Sequence, residues 1–260
     1  MGGAALHVQG LLPAPVPDGD APFSYAGYAQ ALRHVKPDGR VDFAALGQDR
    51  AGLDAFVRSL ATFSPQTRPD LFSEPEEELA YWLNAYNALA LQAVVDGGPG
   101  PHWGRSWPVG GRRLTLWALE HRVLQRRFAD PRIHFALFQG AWSGPLLDGS
   151  PFQPELLDAQ LNEATRRFLA DPRHLWLERD TVHLARRFDT WREDFLAALP
   201  EGRRDNVLQF VWAFLPDTCT QRPGCDNRAE LDRVCGPRLN RCEIVYEPES
   251  EHGAVDAPAR

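Results

Sequence analysis

The stretch Ser73 to Asp96, SEPEEELAYWLNAYNALALQAVVD, constrains this chain more than any other. Leu79, Trp82, Leu83, Tyr86, Leu89 and Ala90 recur at the i, i+3, i+4, i+7 spacing of a helix. Ser73 with Glu76 three residues on has the spacing of a capping box, and Pro75 falls in the first turn, where a missing N–H costs little. Four glutamates, Glu74 and Glu76 to Glu78, suit the positive end of the helix dipole. Gly97, Gly98 and Pro99 end the pattern. Beyond the acidic turn nearly every side is apolar or small, and such a helix has to be covered all round. The rest of the chain must therefore wrap it.

Two amides interrupt the apolar run, Asn84 and Asn87. Three residues apart, they share one flank of the helix. A buried amide must be hydrogen-bonded, so the pair either pins neighbouring loops by their backbone or lines a ligand pocket. The spacing leaves both readings open.

The covering elements are legible in part. Phe23 to Val35 and Arg50 to Phe63 have helical periodicity, with a Lys36-Pro37-Asp38-Gly39 turn after the first. A Gly/Pro/Trp-rich segment, 97–111, reads as a long loop that either carries function or wraps the core. Thr115 is placed to cap a helix over Leu116 to Phe128, which carries Glu120 and His121. Arg132 to Phe138, RIHFALF, reads as a strand with His134 on it, feeding the polar loop QGAWSGPLLDGSPFQ. A helix follows from Pro154 to Ala170. LWLE and TVHLA then flank Arg179-Asp180 as a hairpin, Thr190 and Glu193 have capping-box spacing, and Asp205 is placed to open a last helix. Glu243 to Tyr246 can form a final strand. The expected fold is α+β: a helical layer around a buried central helix (about 73–96) packed on a small antiparallel sheet. Residues 1–22 read as a loose tail, 23–215 as one globular domain, and 216–260 as a cysteine-containing extension.

The blocks YWLNAYNALAL, ALEHRVL, RIHFAL and RRFDTWREDF resemble, in that order, a family of domains of unknown function, number 547. Its pattern runs W-x-N-A-Y-N-A, I-E-H, P-R-I-H-F-A-L, a Cys-rich loop and W-Y-x-x-D-F, and the likeness covers about 23–215. The resemblance implies membership of an uncharacterised family and assigns no reaction. It also exposes a departure. Where the family loop resembles N-C-A-S-x-S-C-P, this chain reads F-Q-G-A-W-S-G-P, with Gln139 and Gly144 at the two cysteine positions. Neither can act as a thiolate nucleophile, redox partner or metal ligand.

The remaining candidates for chemistry are Glu120, His121, His134 and Ser143, and for ligand binding Asn84, Asn87, Gln139 and Trp142. A serine hydrolase needs a histidine within hydrogen-bond reach of the serine and an acid to orient it, and W-S-G is only half of a nucleophile elbow. Glu120 and His121 are adjacent on a helix and point about 100° apart, and no zinc-ligand spacing joins the histidines, so no metal or other cofactor is expected. Three functions compete: a module for a small polar ligand or peptide, degenerate in catalysis; an active hydrolase or transferase using His121 or His134 with Ser143; and a protein-interaction scaffold.

Charge and cysteines narrow the setting. A net charge of −7 argues against a nucleic-acid groove, and no run reaches the roughly 18 apolar residues of a membrane span. Cys219, Cys225, Cys235 and Cys242 lie in the last 42 residues with gaps of five, nine and six and no C-x-x-C. Two disulfides stapling a core-poor tail fit better than zinc and favour an exported or periplasmic protein, although no signal peptide is visible.

Overall fold

The computed structural model describes residues 23–98, 102–140, 144–215 and 228–248. Its central element is the helix Pro75–Gly97, labelled α4 below, with α1 (Ala26–Leu32), α2 (Phe43–Gln48) and α3 (Ala51–Leu60) before it. Pro75 stands at the first helical position, and the cap is Glu74 rather than Ser73. Glu74 and Glu77 close the capping box, one residue later than the Ser73–Glu76 spacing suggested, because proline fixes where the helix can begin. Gly98, at φ +81°, ends the helix. From Glu78 to Leu91 every residue of α4 is buried, as an all-round apolar helix requires.

Side chains of α4 also fasten the loops around it. The Tyr81 hydroxyl donates to the Phe63 carbonyl at 2.6 Å, and Gln92 joins Asp54 of α3 to the Trp107 indole. Trp107 belongs to β1 (Ser106–Val109), which pairs antiparallel with β2 (Arg112–Thr115). The first strand and the turn of this hairpin lie inside the segment read from sequence as loop, and β2 follows directly after it. Its turn is Gly110-Gly111, both left-handed, and Gly110 and Gly111 donate to the carbonyls of Leu60 and Ala61.

Thr115 caps the next helix as expected, accepting from the Ala118 N–H at 3.1 Å. That helix is not uniform. An α turn, α5 (Leu116–Ala118), leads into a π turn, Leu119–Leu124, and a further α turn, α6 (Gln125–Arg127). The Gln125 N–H reaches the Glu120 carbonyl five residues back, and the wider turn buries Leu119, Glu120 and Leu124 together.

The segment 132–138 is not a strand. Pro131–Phe135 is a 3-10 turn, started by Pro131 and by Asp130, whose carboxylate accepts from the Arg132 N–H at 2.9 Å. The Arg132 guanidinium continues to Asp158 and Asn162 at 2.7 Å each, tying the turn to α7 (Leu157–Leu169). Alternating apolar residues here do not mark the two faces of a sheet. Ile133 enters the core around α4, while Phe135 enters a second core.

That second core joins α7, the hairpin β3 (Leu175–Glu178) and β4 (Thr181–Ala185), the turn α8 (Arg187–Thr190), α9 (Arg192–Ala197), α10 (Leu208–Phe214), α11 (Arg228–Cys235) and β5 (Glu243–Glu247). Phe135 meets Phe168, Phe188, Phe195 and Phe210 with ring centroids 4.8 to 6.3 Å apart. The β3–β4 hairpin is antiparallel, as read, with Arg179 in the left-handed region at its turn. The third strand differs: β5 runs parallel to β4, Thr181 opposite Glu243 and Ala185 opposite Glu247, which makes the sheet mixed. The sheet faces the phenylalanine core rather than α4. Two helix starts also differ. Trp191 stands at the cap position of α9 with no side-chain cap, and Asn206, not Asp205, accepts from the Leu208 N–H before α10. Cys235 and Cys242 stand with their Sγ atoms at disulfide distance, 2.06 Å, just before β5; Cys219 and Cys225 lie outside the described residues. The fold is α+β, helices dominating over one small antiparallel and one mixed sheet.

Candidate functional site

The 3-10 turn after α6 brings His134 against residues far along the chain. Its ring is 1% exposed, and Nε2 lies 2.9 Å from a carboxylate oxygen of Asp194, on α9. The carboxylate can only accept, so Nε2 carries the proton and Nδ1 is left as an acceptor. Burial, aided by the nearby charges of Arg187 and His121 and opposed by Asp194, holds this imidazole below the ordinary 6.5, hence neutral near pH 7. The ring stacks on Trp191 at 4.7 Å and meets Phe195 edge-on at 5.6 Å. His121 packs on the same Trp191 at 5.2 Å, stacks against Trp117 at 4.7 Å, and engages the Trp117 carbonyl through Nδ1. The two histidines therefore share one tryptophan.

Glu120 points inward on the π turn and accepts from the buried Tyr86 hydroxyl at 3.3 Å. Burial, and next the Glu120 charge, push the Tyr86 phenol well above its usual range, while Arg187 acts the other way. Arg187 is itself buried. Its Nη1 donates to the His134 carbonyl at 2.8 Å and its Nη2 to the Gln139 amide oxygen at 3.0 Å. Gln139 is thus held by a guanidinium.

The asparagines face the backbone. Asn87 donates to the Ala136 carbonyl at 2.9 Å and accepts from the Phe138 N–H at 2.8 Å. Asn84 does the same with both backbone groups of Phe152, at 2.8 and 2.9 Å. Each amide uses its oxygen and its nitrogen to hold a loop, the pinning alternative of the two. Asn84 lies with Phe152, apart from the histidines. Trp142 and Ser143 lie outside the described residues.

Beside His134 is a small cleft of about 140 Å³, lined by Gln125, Phe128, Ile133, Asp194 and His134 among others. Two of its residues carry a buried nitrogen with no hydrogen-bond partner, Nε2 of Gln125 and Nδ1 of His134. Among the described residues, no three His, Cys, Asp or Glu side chains gather to hold a metal ion, and no helix is long and apolar enough to cross a membrane.

The block order drawn from the sequence can now be set beside known proteins. Residues 70–169 match the family described as "Protein of unknown function, DUF547". The DUF547 recognition holds over that segment, which is narrower than 23–215. No curated protein and no solved structure matches the chain. The DUF547 segment carries Asn84, Asn87, Glu120, His121, His134 and Gln139. The partners that hold His121, His134 and Gln139, namely Arg187, Trp191 and Asp194, lie beyond it. Sequence reasoning did not single out these three, nor Tyr86 or Gln125. The signal for Arg187, Trp191 and Asp194 was the RRFDTWREDF block, which supplies them together with Phe195.

Proposed function

We propose that this protein is a binding module for a small, neutral polar ligand, related to thiol-dependent proteins but without their thiol chemistry. What carries the reading is the pair of unpartnered buried nitrogens, Gln125 Nε2 and His134 Nδ1, on residues lining one cleft. Leaving such atoms unpaired costs on the order of 1–3 kcal/mol each, so a partner that satisfies both is favoured. Gln125 offers a donor and neutral His134 an acceptor. The matching group both accepts and donates, as an alcohol or a primary carboxamide does. Phe128 and Ile133 suit a short apolar body. The volume, about 140 Å³, admits only a small molecule or one side chain of a peptide. Gln139 fits the loss of thiol chemistry, since its amide oxygen accepts from Arg187 at a position where the resembled family pattern has cysteine.

The test uses ligand-observed NMR with isobutyramide and isobutanol, against isobutyrate and isobutylamine as charged controls. The neutral pair should bind and the ions should not. Gln125→Leu should weaken isobutyramide about fivefold or more while leaving the melting temperature equal or higher, because an orphaned donor is removed. No binding by the neutral pair, or a Gln125→Leu variant that binds as the parent does, would defeat the proposal.

One observation favours a second reading. The Asp194–His134 pair has the form of an acid-oriented general base, which is what a hydrolase using Ser143 would need. Turnover of activated esters or amides that disappears in Ser143→Ala, with the fold intact, would select this reading over the first.

A further inference from the structure

A second cleft lies between the β1–β2 hairpin and the helical stretch 116–127, with α4 behind it. Its volume is about 470 Å³, and four guanidinium groups line it: Arg112, Arg122, Arg126 and Arg127. No carboxylate is among its lining residues. Arg127 reaches Glu78 at 2.5 Å, and Arg122 lies 5.1 Å from the centre of the Trp117 ring. Among the described residues, Arg112 and Arg126 have no ion-pair partner. At least three positive charges thus face one cleft on a chain whose net charge is −7.

Like charges gathered in this way repel, and the fold sets their backbone positions side by side while the side chains stand exposed. Arg122 and Arg126 sit four residues apart around the π turn. Arg112 begins β2, directly after a glycine turn fastened by two backbone hydrogen bonds to the end of α3. Leu114 and Val123, half-buried, supply an apolar wall between the arginines.

We propose that this cleft binds the phosphate of a small phosphorylated molecule, with an apolar part of the ligand against Leu114 and Val123. Guanidinium forks match phosphate oxygens two at a time, and a dianion needs more than the one arginine that satisfies a carboxylate. The volume falls in the range of small-molecule sites, on the order of 300–1,000 Å³. A nucleic acid fits less well, because its affinity depends on an extended basic track and this chain is acidic overall. The site is separate from the His134 cleft, and neither proposal depends on the other.

Calorimetry with phenyl phosphate at low ionic strength tests it. Phenyl phosphate should bind, more tightly than inorganic phosphate or benzoate, and added salt should weaken it. The double variant Arg122→Gln/Arg126→Gln should bind phenyl phosphate about tenfold more weakly or worse, with an unchanged circular dichroism spectrum and melting temperature. Gln125→Leu, on the other cleft, should bind it as the parent does. Absence of binding by the parent, or equal binding by the double variant, overturns the proposal. Inorganic phosphate binding as tightly as phenyl phosphate removes the apolar wall from it. Co-flotation of the parent with phosphatidylinositol-phosphate vesicles, lost in the double variant, would assign the phosphate to a lipid headgroup and overturn the small-molecule reading.

Discussion

Replacing Asn87 by leucine isolates what the buried amide does for the fold. Leucine has the same number and branching of side-chain heavy atoms as asparagine, with bulkier ends, and is the better helix former, so neither a cavity nor helix propensity predicts a loss. The loss has to come from the 136–138 loop. There the Ala136 carbonyl and the Phe138 N–H would each forfeit a partner, at a position 1% exposed. Two orphaned backbone groups cost about 2–6 kcal/mol together. Apolar burial and helix propensity return about 1–2 kcal/mol. The middle of each range leaves a net destabilisation of about 2.5 kcal/mol, or roughly 5–10 °C in melting temperature for a chain of this size. Urea titration by circular dichroism measures it, with an unchanged m-value confirming that the denatured state is not what moved. Asn84→Leu is the internal control. Its loop partner, Phe152, is half-buried, so water can replace the lost bonds and the loss should be smaller. An Asn87→Leu protein as stable as the parent, or an Asn84→Leu protein more damaged than it, would refute the reasoning.

His134 should stay neutral below the ordinary histidine range. Because its folded pKa is depressed, the unfolded chain takes up a proton first as pH falls through about 6.5, so stability declines from there down to the folded pKa, by at most about 1.4 kcal/mol per pH unit. A His134 ring titrating at or above 6.5 by NMR would contradict this. Gly110→Ala should destabilise more than Gly111→Ala. Both residues have positive φ, at a cost of about 1–2 kcal/mol for alanine, but only at Gly110 would the new methyl meet another group, Ser64 Oγ at 2.2 Å. Equal losses in melting temperature would remove the steric contribution. Non-reducing peptide mapping should return Cys235 and Cys242 linked, and Cys235→Ala/Cys242→Ala should cost about 2–3 kcal/mol for a crosslink with a sequence separation of 7. Free thiols at both positions in never-reduced protein would refute that link.

What the sequence revealed, and what it hid, follows from the range of the interactions. The central helix was legible because one run of residues is apolar on every side, and the 175–185 hairpin because its turn and alternation are local. Thr115 likewise announced its helix. The π turn at Leu119–Leu124 stayed hidden because one extra residue per turn does not alter an apolar pattern so short. The 106–115 hairpin was hidden in a stretch rich in Gly and Pro that reads as loop; Pro108 is tolerated inside its first strand because the sheet has only two strands, so β1 is an edge. The site was the least legible part. His134 depends on Asp194 and Arg187, 60 and 53 residues away, and no periodicity encodes contacts at that distance. His121 and His134 could be suspected of sharing a pocket, but the tryptophan that joins them was visible only within a block of the family pattern.

The turn at Pro131–Phe135 is a seam between the two cores, a role that α7 shares through Leu157 and Leu161 on one side and Phe168 and Leu169 on the other. Ile133 is stitched into one core and Phe135 into the other, while the carbonyls of His134 and Ala136 are claimed by Arg187 from one side and Asn87 from the other. Neither half can breathe without tugging on this stretch. Amide protons there should exchange at the pace of whole-molecule opening, although only a short 3-10 turn and no α-helix or sheet ladder protects them. The same few residues are also the ones that hold His134 in place. The exchange rates of this stretch therefore also test how far the shape around His134 is set before a ligand meets it.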